Sequence, residues 1–423
     1  MVSYSRLLAN SKVTWQAVHK EYSKDINSKV DCKHVLVIND TTEINFEKHR
    51  NYLSEKDKEL GPVGNNIDIG FFCHPGIVID TINKVALGFS YLKLWNRSWE
   101  KQSCKKRDYK NQVIEEKESY RWIDCALESK KALTNAAHVT IVADRESDIY
   151  EEFCMIPDQN TDILIRCRGD RRLFDIDKSL YETILAEIIK DTYRITIRKT
   201  GKRKERKTEL EIKFGKVKLR KPKSRNIASS IPEGVEMNWV EAKEKPQYVP
   251  DREEAIHWIL LTSHSVTCNE DAFQIIRWYK LRWQIELLFS TLKSGGLNLE
   301  ASEIEKGKAL KTLCALSLQA ALKINQLRQF RDDTTGISAE AIFTKKEIVV
   351  IEVLTSKYEG ATVKQRNPYK KKTIAWAAWT VARLGGWKGY SCESPPGNKT
   401  FKWGLDRFNA IYQGFELKEK MCV

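Results

Sequence analysis

Two aspartates stand where an acid is costly to hold. Asp40 follows the β-branched, apolar run HVLVIN (34–39), and Asp144 closes VTIVAD (139–144), so each ends an expected buried strand. A carboxylate in that position loses hydration and needs a partner or a cation. If the two strands are neighbours, like charges meet, and a divalent metal is the usual resolution. Taken singly, either Asp is explained more simply as a helix cap or the first residue of a turn.

The segment WYKLRWQIELLFSTLK adds a third acid. At about 100° per residue, Tyr279, Arg282, Glu286 and Lys293 fall at roughly 0°, 300°, 340° and 320°, one narrow polar stripe. Leu281, Ile285, Leu288 and Leu292 fall at roughly 200°, 240°, 180° and 220°, an opposing apolar stripe that packs on a core. One helix therefore buries one face and offers a Tyr-Arg-Glu-Lys row on another. A solvated face with an Arg282–Glu286 i,i+4 pair, worth roughly a few tenths of a kcal/mol, gives the same spacing.

The elements that must position these residues follow from periodicity. GFFCHPGIVID and KVALGFSYLKLW, split by TIN, predict a β-hairpin after the first strand. SYRWIDCALESKKAL (119–133) has helical spacing. After VTIVAD come a short helix (148–155) and the strand ILIRCR (163–168). The order β-β-β-α-β-α-β matches an α/β fold of ribonuclease-H-like layout, a mixed sheet whose first strand is central, although other α/β folds can be drawn from the same elements. Residues 190–263 switch to short alternating strands with Gly and Pro turns, an inserted β unit. Helical patterning returns at Asp271–Lys293 and Lys306–Phe330. The tail has a helical stretch around TIAWAAWTVARL and then a Gly/Pro/aromatic-rich end. The expected organisation is a leading remnant of an N-terminal region or linker (1–30), a catalytic core in two parts (31–189 and 264–335) around the insertion (190–263), and a helical C-terminal region (336–423).

Composition limits the partners. With 423 residues, 41% hydrophobic and 30% charged, the chain can bury a sizeable core. No apolar run reaches a membrane span and the start lacks a secretory stretch, so a cytoplasmic protein without membrane partners is expected. The ten cysteines are scattered singly, and Cys73–His74 lacks the second pair a zinc site needs. The net charge of +15 favours a polyanion such as nucleic acid. Lys190–Arg225 alone holds 16 Lys/Arg against 4 Asp/Glu, and alternation in YRITIRK and LEIKFGKVKLRK suggests strands with a basic face. A smaller basic cluster spans Lys364–Lys372. Solvated loops would account for such runs as well.

The pattern Y-x2-R-x3-E-x6-K, here Tyr279, Arg282, Glu286 and Lys293, resembles the signature of bacterial transposases of the insertion-sequence-four family, and the sequence looks most like the transposon-five branch. Asp40 lies in a DTT motif and Asp144 in a DRESD motif, both typical of that branch. Arg166 and Arg168 fall where the family carries basic residues, Trp258 in HWILLT matches a family tryptophan, and ARLGGWKG and PPGNKTFKWGLDRF resemble its C-terminal region. The resemblance spans about residues 30 to 415.

It implies a DDE transposase in which Asp40, Asp144 and Glu286 hold two Mg²⁺ ions, with Mn²⁺ able to substitute. Tyr279, Arg282, Lys293, Arg166 and Arg168 would contact phosphate, and Trp258 would take up an unstacked base. The substrates would be double-stranded DNA, transposon ends and target, cut by a hairpin-forming cut-and-paste route within a homodimeric synaptic complex. The family's C-terminal region is a dimerisation unit, and Trp376, Trp387 and Trp403 keep its pattern. Members carry a longer helical domain before the first Asp than the thirty-nine residues here. A truncated, inactive regulator that dimerises and binds DNA is therefore one alternative, and a stand-alone ribonuclease-H-like nuclease another.

Overall fold

The computed structural model describes residues 2–99, 112–197, 205–223, 227–390 and 393–421. In chain order the first part runs α1 (Val2–Ala9), α2 (Trp15–Lys29), β1 (His34–Asn39), β2 (Thr42–Asn45), β3 (Gly61–Val63), β4 (Asp68–Asp80), β5 (Ala86–Trp95), α3 (Tyr120–Ala132), β6 (His138–Ala143), α4 (Tyr150–Met155), β7 (Thr161–Arg166) and α5 (Leu180–Ala186). There follow β8 (Asp191–Ile197), β9 (Arg206–Arg220), β10 (Gly234–Glu244), β11 (His257–Thr262), α6 (Asn269–Leu281), α7 (Trp283–Lys293), α8 (Gly307–Phe330), α9 (Lys345–Tyr358), α10 (Ile374–Leu384) and α11 (Asn398–Met421).

The β-branched run of β1 sits in the middle of one mixed sheet, antiparallel to β4 and parallel to β6. β6 pairs parallel with β7, and β4 with β5 forms the expected hairpin. The arrangement β5-β4-β1-β6-β7 is the ribonuclease-H-like core. β11 adds antiparallel to β7, and β10, β9 and β8 continue outward, so the insertion extends the sheet rather than standing apart from it.

Alternation along the strands feeds two cores. Leu36, Ile38, Val142 and Leu164 face α6, α7 and α8, whose Ile275, Ile276, Leu288, Leu292 and Leu318 fill that side. Val35, Val37, Ile141 and Ile163 face the other way, against Trp122, Ile123, Ala126 and Phe153 of α3 and α4. Burying both faces explains why these strands are apolar throughout rather than alternating.

Three regions differ from the sequence reading. The leading segment, expected as a remnant of an N-terminal region or a linker, contains α2, capped by Thr14, with Ile26 fully packed and the Tyr22 hydroxyl donating to the Ala315 carbonyl at 2.7 Å. The tail carries two further helices, α9 and α11. With α10 and the end of α8 they enclose a third core around Trp376, Ile351, Phe401 and Phe408. Trp387 packs against that core, whereas Trp403 is half exposed. The helix 271–293 is tightened at Arg282, where Arg282 N–H donates to the Tyr279 carbonyl and Ile285 N–H to the Arg282 carbonyl, both three residues back.

Candidate active site

Pairing of β1 with β6 aligns Ile38 with Val142, so the residues two further on, Asp40 and Asp144, emerge side by side on the face that α6 and α7 cover. The β6–β7 register aligns Val142 with Leu164 and so brings Arg166 beside Asp144. The tightened turn between α6 and α7 lies above these strand ends.

A single guanidinium gathers the three acids. Arg282 Nη1 donates to Asp40 Oδ2 at 3.1 Å and to Glu286 Oε1 at 3.3 Å, and Arg282 Nη2 stands 3.9 Å from Asp144 Oδ2. Its side chain is 12% exposed, against 21%, 32% and 39% for Asp40, Asp144 and Glu286. The cation is therefore sealed beneath and the acids face outward. The buried Tyr279 hydroxyl donates to Asp144 Oδ1 at 3.2 Å, and Arg166 Nη1 lies 3.8 Å from the same oxygen. Trp258 is half-buried, its ring 5.4 Å from that of Tyr279 and nearly edge-on to it.

Burial pushes the Asp40 carboxyl up to about 6; Arg282 and the Thr41 N–H pull the other way, and the nearby Glu286 and Asp144 add to the rise. Desolvation thus outweighs the ion pair at Asp40, even though the same carboxylates stabilise the charge on Arg282. Burial, with Asp144 beside it, pushes the Tyr279 phenol up to about 12, so it remains a donor at neutral pH. Three carboxylates around one buried cation form a hard, oxygen-rich donor set of the kind Mg²⁺ and Mn²⁺ prefer.

Two expected phosphate ligands are not brought to the cluster. Lys293 pairs with Glu300 at 3.5 Å. Arg168 lies past the end of β7, exposed, with its backbone N–H on Asp148 Oδ2 at 2.7 Å; the expected strand 163–168 stops at Arg166. Arg168 instead borders a neighbouring cleft with Arg97, Arg121, Arg145, Glu118 and Glu146. Arg121 Nε donates to Thr41 Oγ1 at 2.8 Å, and Thr41 in turn meets His74 Nδ1 at 2.8 Å, which braces the residue after Asp40. Sequence reasoning missed Arg121, and only its place on the helix that packs behind β1 marks it. Cys73 and His74, adjacent in sequence, are both buried; no group of three or more His, Cys, Asp or Glu that could hold a metal ion, among the described residues, includes either.

Among the described residues, several basic side chains of the insertion are ion-paired. Arg194 meets Glu209, Arg206 meets Glu244 and Glu253, Lys213 meets Glu241, and Lys216 meets Glu236. Most of these acids come from β10 and its neighbours, outside the window in which the surplus was counted. Residues 198–204 and 224–226 of that window lie outside the described residues.

Fold and cluster together define an α/β protein with a ribonuclease-H-like core and an acidic site at the carboxyl ends of its central parallel strands. Residues 121–322 match the model of the transposase DDE domain family, which supports a DDE transposase acting on DNA. The matched stretch contains Asp144, Glu286, Tyr279, Arg282 and Trp258; Asp40 precedes it. No helix among the described residues is long and apolar enough to cross a membrane.

Proposed function

We propose that this chain is a cut-and-paste DNA transposase of the insertion-sequence-four type, transposon-five-like, with Asp40, Asp144 and Glu286 as its metal-binding acids. The observation that carries the reading is the meeting of all three carboxylates on one buried guanidinium. The acids would hold two Mg²⁺ ions, which supply charge neutralisation at the phosphate and a more acidic water or 3′-OH.

The protein's own groups do the rest. Tyr279 holds Asp144 in place through its hydroxyl. Arg282 would present its fork to a non-bridging phosphate oxygen, with Arg166, 3.8 Å from Asp144, flanking the same position. Water attacks the phosphodiester at the transposon end and the 3′-oxygen leaves as a hydroxyl. That hydroxyl attacks the opposite strand, closing a hairpin and releasing the flanking DNA. A second water reopens the hairpin, and the same 3′-OH then attacks target DNA. A tight hairpin requires an unstacked base, which Trp258 can receive on its exposed face. Lys293, Arg168 and the cleft arginines would track the phosphates beyond. Two ends cut in register call for two active sites, so residues 336–423 would pair two chains.

The test incubates the chain with linear duplexes ending in the element's own termini, with Mg²⁺ or with EDTA. Hairpin-ended product in Mg²⁺ alone, abolished by Asp144→Asn, is expected. Nicking without hairpins would reject the cut-and-paste route, and metal-independent cleavage would reject the site.

A further inference from the structure

The opposite end of the same sheet face gathers a second set of ligating groups. His34 opens β1, His138 opens β6 and His264 follows β11, and one ring nitrogen of each lies within 4.8 Å of the others. The rings are held in fixed orientations. Asp162 of β7 lies between two of them, its Oδ2 2.8 Å from His138 Nε2 and 3.1 Å from His264 Nδ1. Thr140 Oγ1 is 2.8 Å from both His34 Nε2 and His264 Nε2, and Ser263 Oγ donates to Asp162 Oδ1 at 2.6 Å. Trp278 of α6 covers the group, its ring 4.8 Å from His34 and 5.0 Å from His264. All three histidines are half-buried, so an ion could reach them from solvent.

We infer that His34, His138 and His264 form a binding site for a borderline transition-metal cation of the Zn²⁺ or Ni²⁺ class, with Asp162 orienting two of the rings. Imidazole nitrogens suit Zn²⁺, Ni²⁺ and Cu²⁺, whereas Mg²⁺ favours carboxylate and water, so the two ends of the sheet select different ions. A carboxylate behind a ligating histidine fixes its tautomer and raises its basicity. A nitrogen triangle up to 4.8 Å across is wider than the ~3.3 Å edge of a tetrahedral site with Zn–N near 2.0–2.1 Å. The rings must close by less than ~1 Å each, within side-chain adjustment. Six residues of strand, about 20 Å, separate this group from Asp40 and Asp144, so the ion takes no part in phosphoryl transfer. It cross-links β1, β6 and the segment after β11 beneath α6, the elements that carry the acids and Tyr279.

The competing arrangement is a self-contained hydrogen-bonded chain running His34–Thr140–His264–Asp162–His138. Calorimetric titration separates the two. The full chain, stripped of metal and held in excess Mg²⁺ to occupy the carboxylates, is titrated with ZnCl₂, and bound zinc is counted by elemental analysis. One Zn²⁺ per chain is expected, retained in Asp144→Asn and weakened about tenfold or more in His138→Gln and His264→Gln. Co²⁺ added to the unsubstituted chain should give the visible absorption of tetrahedral nitrogen coordination, a readout that stands even if a histidine variant fails to fold. Any of three results would overturn the site: no Zn²⁺ uptake in excess Mg²⁺, affinity indifferent to the histidine substitutions, or a Co²⁺ spectrum dominated by thiolate charge transfer.

Discussion

The face of the sheet beneath α6 ends in acids on one side and in imidazoles on the other, carried by the same strands at the same spacing. His34, Leu36, Ile38 and Asp40 share that face on β1, and His138, Thr140, Val142 and Asp144 share it on β6. The two ends differ in how they balance themselves. The imidazole end is satisfied by its own hydrogen bonds, and burial holds His34 and His264 down to about 4, so both rings are neutral at neutral pH. The acid end brings three carboxylates onto Arg282, with Arg166 on its flank, and it keeps Asp40 ionised against its burial. One end is neutral and hydrogen-bonded within itself, and its imidazole nitrogens are the donors that the inferred transition-metal ion would take. The other sets three carboxylates against Arg282 and Arg166.

That contrast is sharpest at Glu286. Glu286→Gln removes one of the acids, so metal-dependent cleavage should fall by roughly 10³-fold or more. In EDTA the same change relieves repulsion, so the melting temperature should hold steady or rise. A variant that loses both activity and stability would mean that the acid end is held together by its charges, and the comparison with the imidazole end would collapse.

Arg282→Ala probes the other side of the balance. Without its guanidinium, carboxylates that are partly buried lose their counter-ion, and removing one partner of such a group costs about 3 kcal/mol. The loss should be full in EDTA and partly restored by Mg²⁺, which would replace the missing charge. Chemical denaturation with and without Mg²⁺ reads this directly. Equal destabilisation under both conditions would make Arg282 a packing residue and leave the acids without a metal-linked role.

Local rules made the strands and the helix that carry the acid end legible, while the grouping of the three acids into one site came from the family resemblance. Buried strands announce themselves by composition, their last residues are fixed by where the apolar run stops, and a helical stripe collects Tyr279, Arg282 and Glu286. The i→i+3 tightening at Arg282 was not legible, since it alters hydrogen bonding while φ and ψ stay helical. Lys293 shows the limit of the wheel: it shares the stripe but lies two turns beyond Glu286, where Glu300 takes it up. The imidazole end was legible in principle, through the matched six-residue His-to-Asp spacing on β1 and β6, but nothing local marks His264 or Asp162 as its partners. In the tail, the Gly/Pro/aromatic-rich end did not mark α11. Gly404 sits inside that helix, where a Cβ would meet the Val381 carbonyl of α10 at 2.0 Å, so the residue permits two helices to touch. The charge balance of Lys190–Arg225 leaves out acids that the sheet supplies from β10, a strand beyond that window.

A separate, pH-dependent effect belongs to the support beneath Asp144. Glu152 of α4 is fully buried and accepts from Ser147 Oγ at 2.6 Å, in the turn that follows Asp144, and its other oxygen has no protein partner. Unlike Asp40, it has no ion-pair partner among the described residues. Burial therefore pushes its carboxyl up to about 8, with the Ser147 hydrogen bond opposing the rise. The folded-state value lies above the unfolded one, so the folded chain holds a proton that the unfolded chain has released. The stability this group contributes is present below about 4.5 and is lost as pH rises toward 8, at up to ~1.4 kcal/mol per pH unit. Glu152→Gln imitates the protonated form at every pH. Its stability relative to the parent chain, from urea midpoints, should change little near pH 4.5, grow steadily through neutrality and level off above pH 8. Midpoints that stay parallel across that range would mean that Glu152 ionises in place, with water or a shift of the 144–148 turn compensating it, and that the acid end is less tightly sealed beneath Asp144 than its burial implies.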